Sequence, residues 1–205
     1  DRREHVPVAA VLAEVKRKLA VGPAPDYISL AGSGEPTLHG GIGDIISGIK
    51  GMTSLPVAVI TNGSLLWRED VRKDLREADV VLPSLDAGDE RMFRLINRPH
   101  PALRFDAMVE GLSAFCRDFP GRVRLEVMLV AGKTGVFEEA EKIAEIVEGL
   151  RTASVDLNTV SRPPAESDAR AVSLHRMAAL KGLFPRNASV ICDFGASDSG
   201  SAIGA

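Results

Sequence analysis

Asp26-Tyr27-Ile28-Ser29-Leu30-Ala31 runs into Gly32-Ser33-Gly34-Glu35-Pro36-Thr37, an apolar stretch too short for a helix that ends in a tight glycine turn. That is the pattern of a β-strand delivering its carboxyl end into a loop. Upstream, Val8, Val11, Leu12, Val15 and Leu19 recur at helical spacing, with Pro7 suited to the first turn and Gly22-Pro23 as a stop. Downstream the alternation repeats. A helix over 42–50 leads to a strand over 57–60, closed by Thr61-Asn62-Gly63. Val71 and Leu75 mark a helix, and a strand over 79–82 ends at Pro83-Ser84-Leu85-Asp86. Helices over 90–96 and 106–119 precede the strongest strand, 123–130. Residues 138–150 form a helix with acids in its first turn and a Glu138/Lys142 pair at i,i+4. A fifth strand spans 154–160, a helix capped by Ser173 spans 173–184, and a sixth strand spans 189–192.

Strands separated by helices demand crossover connections and a parallel sheet, either doubly wound or curled into a barrel. In 123–130 one face carries Val123, Leu125, Val127 and Leu129, the other Arg124, Glu126, Met128 and Val130. In 155–160 the same alternation sets Asp156, Asn158 and Val160 apart from Val155, Leu157 and Thr159. A closed eight-stranded barrel is filled with branched apolar residues. Inward Glu126 and Asn158 therefore predict an open barrel that holds a ligand, the alternative being edge strands that wet one face. One barrel domain over 1–194 is expected, and a flexible tail over 195–205, where nine of eleven residues are Gly, Ala or Ser.

The 205 residues are 45% hydrophobic and 26% charged, ordinary for a globular domain. No apolar run approaches the roughly eighteen residues of a membrane helix, and the start Asp1-Arg2-Arg3-Glu4 is no signal peptide, so membrane association is not expected and a cytoplasmic location is. The net charge of −3 supplies no broad footprint for a polyanion. The two cysteines, Cys116 and Cys192, lie far apart without a CxxC and read as buried small hydrophobes. His5, His39 and His175 show no HxH or HExxH spacing and read as non-ligands.

Ligands of parallel α/β proteins lie beyond the carboxyl ends of the strands, so the residues there are the candidates. Gly32, Ser33 and Gly34 let backbone groups approach a ligand, and Glu35 adds a fixed anion; an ammonium group suits such a turn. No phosphate-loop GK[ST] follows this turn, and Thr37 replaces the last glycine of a dinucleotide fingerprint. Thr61, Asn62, Gly63, Ser84 and Asp86 bring hydroxyls, an amide and a carboxylate to adjacent strand ends, which matches the hydroxyls of a ribose. Arg98 can clamp a carboxylate in bidentate fashion, and Arg162, before Pro163-Pro164, adds a second cation at the same rim.

The series 26–38, then Ile60-Thr61-Asn62-Gly63-Ser64-Leu65-Leu66-Trp67, then Leu82-Pro83-Ser84-Leu85-Asp86-Ala87 with Asn97-Arg98-Pro99, resembles the radical S-adenosylmethionine superfamily, in the Fe-S oxidoreductase branch related to wyosine-base tRNA enzymes. The resemblance runs from Asp1 to about Glu166. It implies a partial (β/α)6 TIM-like barrel with parallel strands that holds S-adenosylmethionine and a 4Fe-4S cluster across its open top. It also implies that the segment at 33–35 meets the methionyl amino group, Ser33 standing where most members have glycine. Thr61, Asn62, Ser84 and Asp86 would contact ribose or line the pocket, and Glu126, Asn158 and Arg162 would face cofactor or substrate. The chemistry would be one-electron cleavage to a 5′-deoxyadenosyl radical followed by hydrogen abstraction, with flavodoxin or ferredoxin as reductant.

The CxxxCxxC loop of that superfamily is absent from this chain, and neither Cys116 nor Cys192 can stand in, because three clustered thiolates must bind the cluster. The expectation is that the first strand and cluster ligands lie upstream of residue 1 in a longer parent, this portion alone being inactive. A non-catalytic barrel binding an adenosyl nucleotide or RNA is the alternative, and an aldolase-like barrel the third reading, without a defensible Schiff-base lysine. RNA would have to be held locally, by Arg98, Arg104 and Arg162.

Overall fold

The computed structural model describes residues 1–21, 23, 25–32, 34–161 and 166–191. The expected strand end at Cys192, the tail over 195–205, Ser33 and Arg162 lie outside the described residues. Among those described, α1 (Val8–Leu19) leads to β1 (Ile28–Leu30), α2 (Ile42–Met52) to β2 (Val57–Thr61), and α3 (Glu69–Asp74) to β3 (Val80–Pro83). Two helices, α4 (Glu90–Ile96) and α5 (Phe105–Asp118), precede β4 (Arg122–Leu129). Then come α6 (Phe137–Glu148), β5 (Ser154–Thr159), α7 (Leu174–Lys181) and β6 (Ala188–Val190).

All five strand pairings are parallel and the spatial order is β1-β2-β3-β4-β5-β6. A doubly wound sheet reverses its order at a switch point; a sheet that adds each strand beside the last winds one way and curls. The curl is visible in the side chains. Arg122, at the start of β4, donates from Nη2 to Tyr27 Oη at 3.1 Å, across two intervening strands. The result is an α/β fold with a parallel six-stranded sheet, a partial barrel open along one side.

The core lies between sheet and helices. Val123, Leu125, Val127 and Leu129 of β4 are buried against Leu112 and Phe115 of α5 and Ile143 and Val147 of α6, while Ile42, Ile45, Ile46 and Ile49 of α2 cover the β1–β2 side. Each such side chain contributes about 1.5–3 kcal/mol of burial. Helix α5 approaches so closely that a Cβ on Gly111 would lie 2.2 Å from the Trp67 backbone nitrogen. The opposite face of β4 stays open, with Arg122, Arg124 and Met128 exposed and Glu126 half-buried, as the alternation predicts.

Two local expectations are corrected. Val130 is buried, because Thr134 folds back to accept from its N–H at 3.0 Å and Ala171 bridges it from the segment before α7. Lys142 pairs with Asp89 (2.7 Å) and Glu139 (3.2 Å), with no ion pair to Glu138 among the described residues. Asp89 caps α4, where it accepts from Met92 N at 2.8 Å, so Lys142 joins α6 to α4. No helix among the described residues is long and apolar enough to cross a membrane.

Candidate functional site

Glu35 is the hub of the carboxyl end of the sheet. Its Oε1 accepts from Thr37 N (3.0 Å), Thr37 Oγ1 (2.6 Å) and Thr61 Oγ1 (2.6 Å), and its Oε2 accepts from Asn62 N (2.8 Å). One half-buried carboxylate thus caps the short 3-10 turn Pro36–Leu38 and fastens the β1 turn to the end of β2. What it offers a ligand is the remaining lone pair of Oε2, beside the exposed backbone of Gly32 and Gly34. Thr37, wholly buried and directed at Glu35, belongs to this hub. Its hydroxyl at Glu35+2 is the one sequence signal that could have marked it.

The same end collects the other strand termini. Thr61 Oγ1 also accepts from Gly63 N at 3.1 Å, and Asn62 Oδ1 accepts from Ser64 N at 2.9 Å. Gly63 adopts φ +72°, a left-handed turn that a side chain would strain. Ser84 donates from its N–H to Thr61 O at 3.1 Å and bridges Glu126 in register, and Leu85 N donates to Glu126 O at 2.9 Å. Asp86, half-buried, accepts from Met128 N at 3.0 Å and from Asn97 Nδ2 at 2.9 Å. Burial pushes its carboxyl above the usual range, against the pull of those two donors. The structure therefore brings Gly32, Gly34, Glu35, Thr61, Asn62, Gly63, Ser84 and Asp86 to one end of the sheet.

Glu126 lies on the open face, level with Asp156 on β5. Burial first, then the Asp156 and Asp86 carboxylates, push its carboxyl up, and Arg124 opposes them. Asn158, half-buried, sits one step higher beside Met128. On the inner face just below the polar strand ends, Ile60 (38% exposed) pairs with half-buried Leu82, and Met128 is 43% exposed, an uncovered apolar platform. A cleft of about 470 Å3 follows the other side of the β1 turn, lined by Gly32, Gly34, Glu35 and His39 among others, so the turn is approachable from both sides.

At the rim, Arg98 holds φ +46° and forms an ion pair with Glu166, while Lys133 pairs with Asp168 at 3.0 Å. A substrate carboxylate would have to displace Glu166 to gain Arg98. Cys116 is buried in α5, and burial pushes its thiol up to about 12. No group of three or more His, Cys, Asp or Glu side chains suited to a metal ion occurs among the described residues.

Several solved structures that share this architecture are radical S-adenosylmethionine enzymes. A domain of pyruvate-formate lyase-activating enzyme from Bacteroides vulgatus superposes with TM-score 0.62 at 17% identity, covering 80% of this chain and 98% of that one. A radical SAM methyltransferase from Sphaerobacter thermophilus gives 0.61 at 20% identity, covering 90% and 56%. Streptococcus suis SuiB bound to S-adenosylmethionine gives 0.64 at 15% identity, covering 86% and 40%. At such identities the likeness is one of fold.

No family model matches the chain. Its homologues in sequence include a UPF0026 protein of Methanocaldococcus jannaschii, 38% identical over 141 residues, 69% of this chain and 44% of that protein. The GTPase Obg of Brachyspira hyodysenteriae is 40% identical over 186 residues, 91% of this chain and 27% of that protein. The chain thus spans less than half the length of either relative.

Proposed function

We propose that the mouth at the carboxyl ends of β1, β2 and β3 binds S-adenosylmethionine, and that the chain is the cofactor-holding barrel of a radical S-adenosylmethionine enzyme. The observation that carries the reading is the Glu35 hub, which gathers a glycine turn and two polar strand ends at one end of the sheet. The residues present fit the molecule. A protonated amine has three donors to satisfy, and the turn offers backbone oxygens and Glu35 Oε2. Ribose hydroxyls suit Asn62, Ser84 and Asp86, and the flat adenine suits the apolar platform of Ile60, Leu82 and Met128. When bound, S-adenosylmethionine would supply a 5′-deoxyadenosyl group that one-electron reduction releases as a radical. Glu126, Asn158, Arg98 and Arg162 are the proposed substrate contacts.

A 4Fe-4S cluster does not fit the described residues. Cys116 is their one cysteine, buried and held as a thiol, whereas a cluster needs several thiolates together. No step through a cluster is drawn from this chain, and its reductant, substrate and cytoplasmic location are proposals at the level of the whole protein. The second reading is a barrel that binds the adenosyl nucleotide without turnover. RNA is a weaker substrate for an acidic chain. GTP hydrolysis does not carry over from the Obg relative. Gly132-Lys133-Thr134 lacks the earlier glycine of a phosphate loop, Val127 being buried in β4 at that position, and Thr134 Oγ1 is committed to Val130 N and Met128 O.

Calorimetric titration with S-adenosylmethionine tests the binding claim. A Cβ on Gly34 meets nothing within 4 Å, so Gly34→Val should leave the melting temperature unchanged and weaken binding at least tenfold. No binding by the wild type, or equal binding by the variant, rejects the site. Release of 5′-deoxyadenosine by the full-length protein under anaerobic reduction separates the radical enzyme from the binding barrel.

A further inference from the structure

The inner face of the sheet carries a second cluster at the amino ends of the strands, away from the mouth. Register places Arg122 and Arg124 on one face of β4, Ser154 and Asp156 beside them on β5, and Ser189 next on β6. Tyr27 reaches in from the start of β1, and together these side chains line a recess of about 430 Å3.

The charges do not balance within it. Asp156, whose side chain is 4% exposed, accepts from both Nη2 (2.7 Å) and Nε (3.1 Å) of Arg124, so the two neutralise each other. Arg122 has a neutral partner, the Tyr27 phenol. Asp79, on the neighbouring loop, feels the Arg122 charge but spends its hydrogen bonds on Lys50 Nζ at 2.7 Å and Val57 N at 2.8 Å. Glu126 stands one inward position above Arg124 on β4, where burial favours its neutral form. Tyr27 accepts from Arg122, which leaves its own hydroxyl proton to donate. Ser154 Oγ is sealed from solvent and has no hydrogen-bond partner among the described residues. Sealed in this way, it is out of reach of a ligand in the recess. A guanidinium with unused donors, the Tyr27 phenol and the exposed Ser189 hydroxyl around one recess form the donor set that an oxyanion satisfies.

We propose that this recess binds the carboxylate or phosphate group of a small molecule, with Arg122 as the principal anchor and Tyr27 and Ser189 as hydroxyl donors. The site stands at the other end of the strands and does not rest on the S-adenosylmethionine reading.

The test is saturable thermal stabilisation of the chain, read separately with inorganic phosphate and with succinate at constant ionic strength. Variants are Arg122→Gln and Tyr27→Phe, both at exposed side chains outside the core. At least one anion should bind the wild type, at least tenfold more weakly to Arg122→Gln and severalfold more weakly to Tyr27→Phe. Response to phosphate alone assigns a phosphate ligand; response to succinate alone assigns a carboxylate; response to both assigns a general oxyanion site. No saturable response to either, or a response that both variants retain, overturns the proposal. S-adenosylmethionine affinity, measured in parallel, should be the same in all three proteins, so failure at the mouth and failure at the recess are read independently.

Discussion

Replacing Glu35 by Gln tests the hub directly. The carboxylate accepts four hydrogen bonds, three on Oε1 and one on Oε2. A glutamine offers one acceptor oxygen, which the three donors from Thr37 and Thr61 would claim. Its NH2 group then faces Asn62 N–H, donor against donor, where the wild type has a 2.8 Å bond. A hydrogen bond to a charged group contributes about 1.5–3 kcal/mol, and the three retained bonds weaken because their acceptor is now neutral. Asn62 is exposed, so water can recover part of the loss. The net expectation is about 2 kcal/mol, which for a chain of this size is a fall in melting temperature of about 4–8 °C. Urea denaturation of the wild type, Glu35→Gln, Thr61→Val and the double variant gives the coupling, expected at about 1 kcal/mol because the two side chains share a bond. A melting temperature within a degree of wild type, or strict additivity, would refute the account of Glu35 as the tie between the β1 turn and β2.

Three further outcomes follow from packing and electrostatics. Gly111→Ala should destabilise by about 3 kcal/mol or abolish folding, since its Cβ would lie 2.2 Å from the Trp67 backbone nitrogen; circular dichroism melts check it, and a wild-type melt would contradict the packing of α5. Glu126 has its carboxyl pushed up, so the folded state binds that proton more tightly than the unfolded chain and stability falls as pH rises past the ordinary glutamate value of 4.5. Glu126→Gln should therefore be more stable than wild type at pH 7, with the difference closing below about pH 4; a constant difference in urea unfolding across that range would contradict burial of the charge. Cys116, its thiol at about 12, should react with iodoacetamide at pH 8 about a thousandfold more slowly than in the unfolded chain, measured in a Cys192→Ser background; rapid alkylation of the native protein would show that α5 does not shield it.

The alternation along β4 was legible because side chains on a strand change face at every residue: Val123, Leu125, Val127 and Leu129 are buried and Arg124, Glu126 and Met128 are not. The positions of the strand ends were legible too, because Gly32, Asn62-Gly63 and Ser84-Leu85-Asp86 interrupt apolar runs. Partner choice was not. Asp156 looked like a wet inward residue, yet Arg124, thirty-two positions earlier, buries it. Glu35 read as a fixed anion for an ammonium group, yet Thr61, set beside it by the β1–β2 pairing, claims one of its oxygens. Arg98 read as a clamp, but its ion pair with Glu166 depends on a segment 68 residues on. On the strands the local pattern set the face and the register set the partner, while the Arg98–Glu166 pair joins two loops; both follow from tertiary packing rather than from period.

Hydrogen exchange with and without saturating S-adenosylmethionine tests the central claim most directly. The account predicts added protection in 31–38, 61–66 and 84–87, the three stretches that meet at the carboxyl end of the sheet, with the amino-terminal strand ends near Arg122 and Ser154 unchanged. Protection confined to the amino-terminal ends, or none at a concentration where calorimetry detects binding, would contradict it.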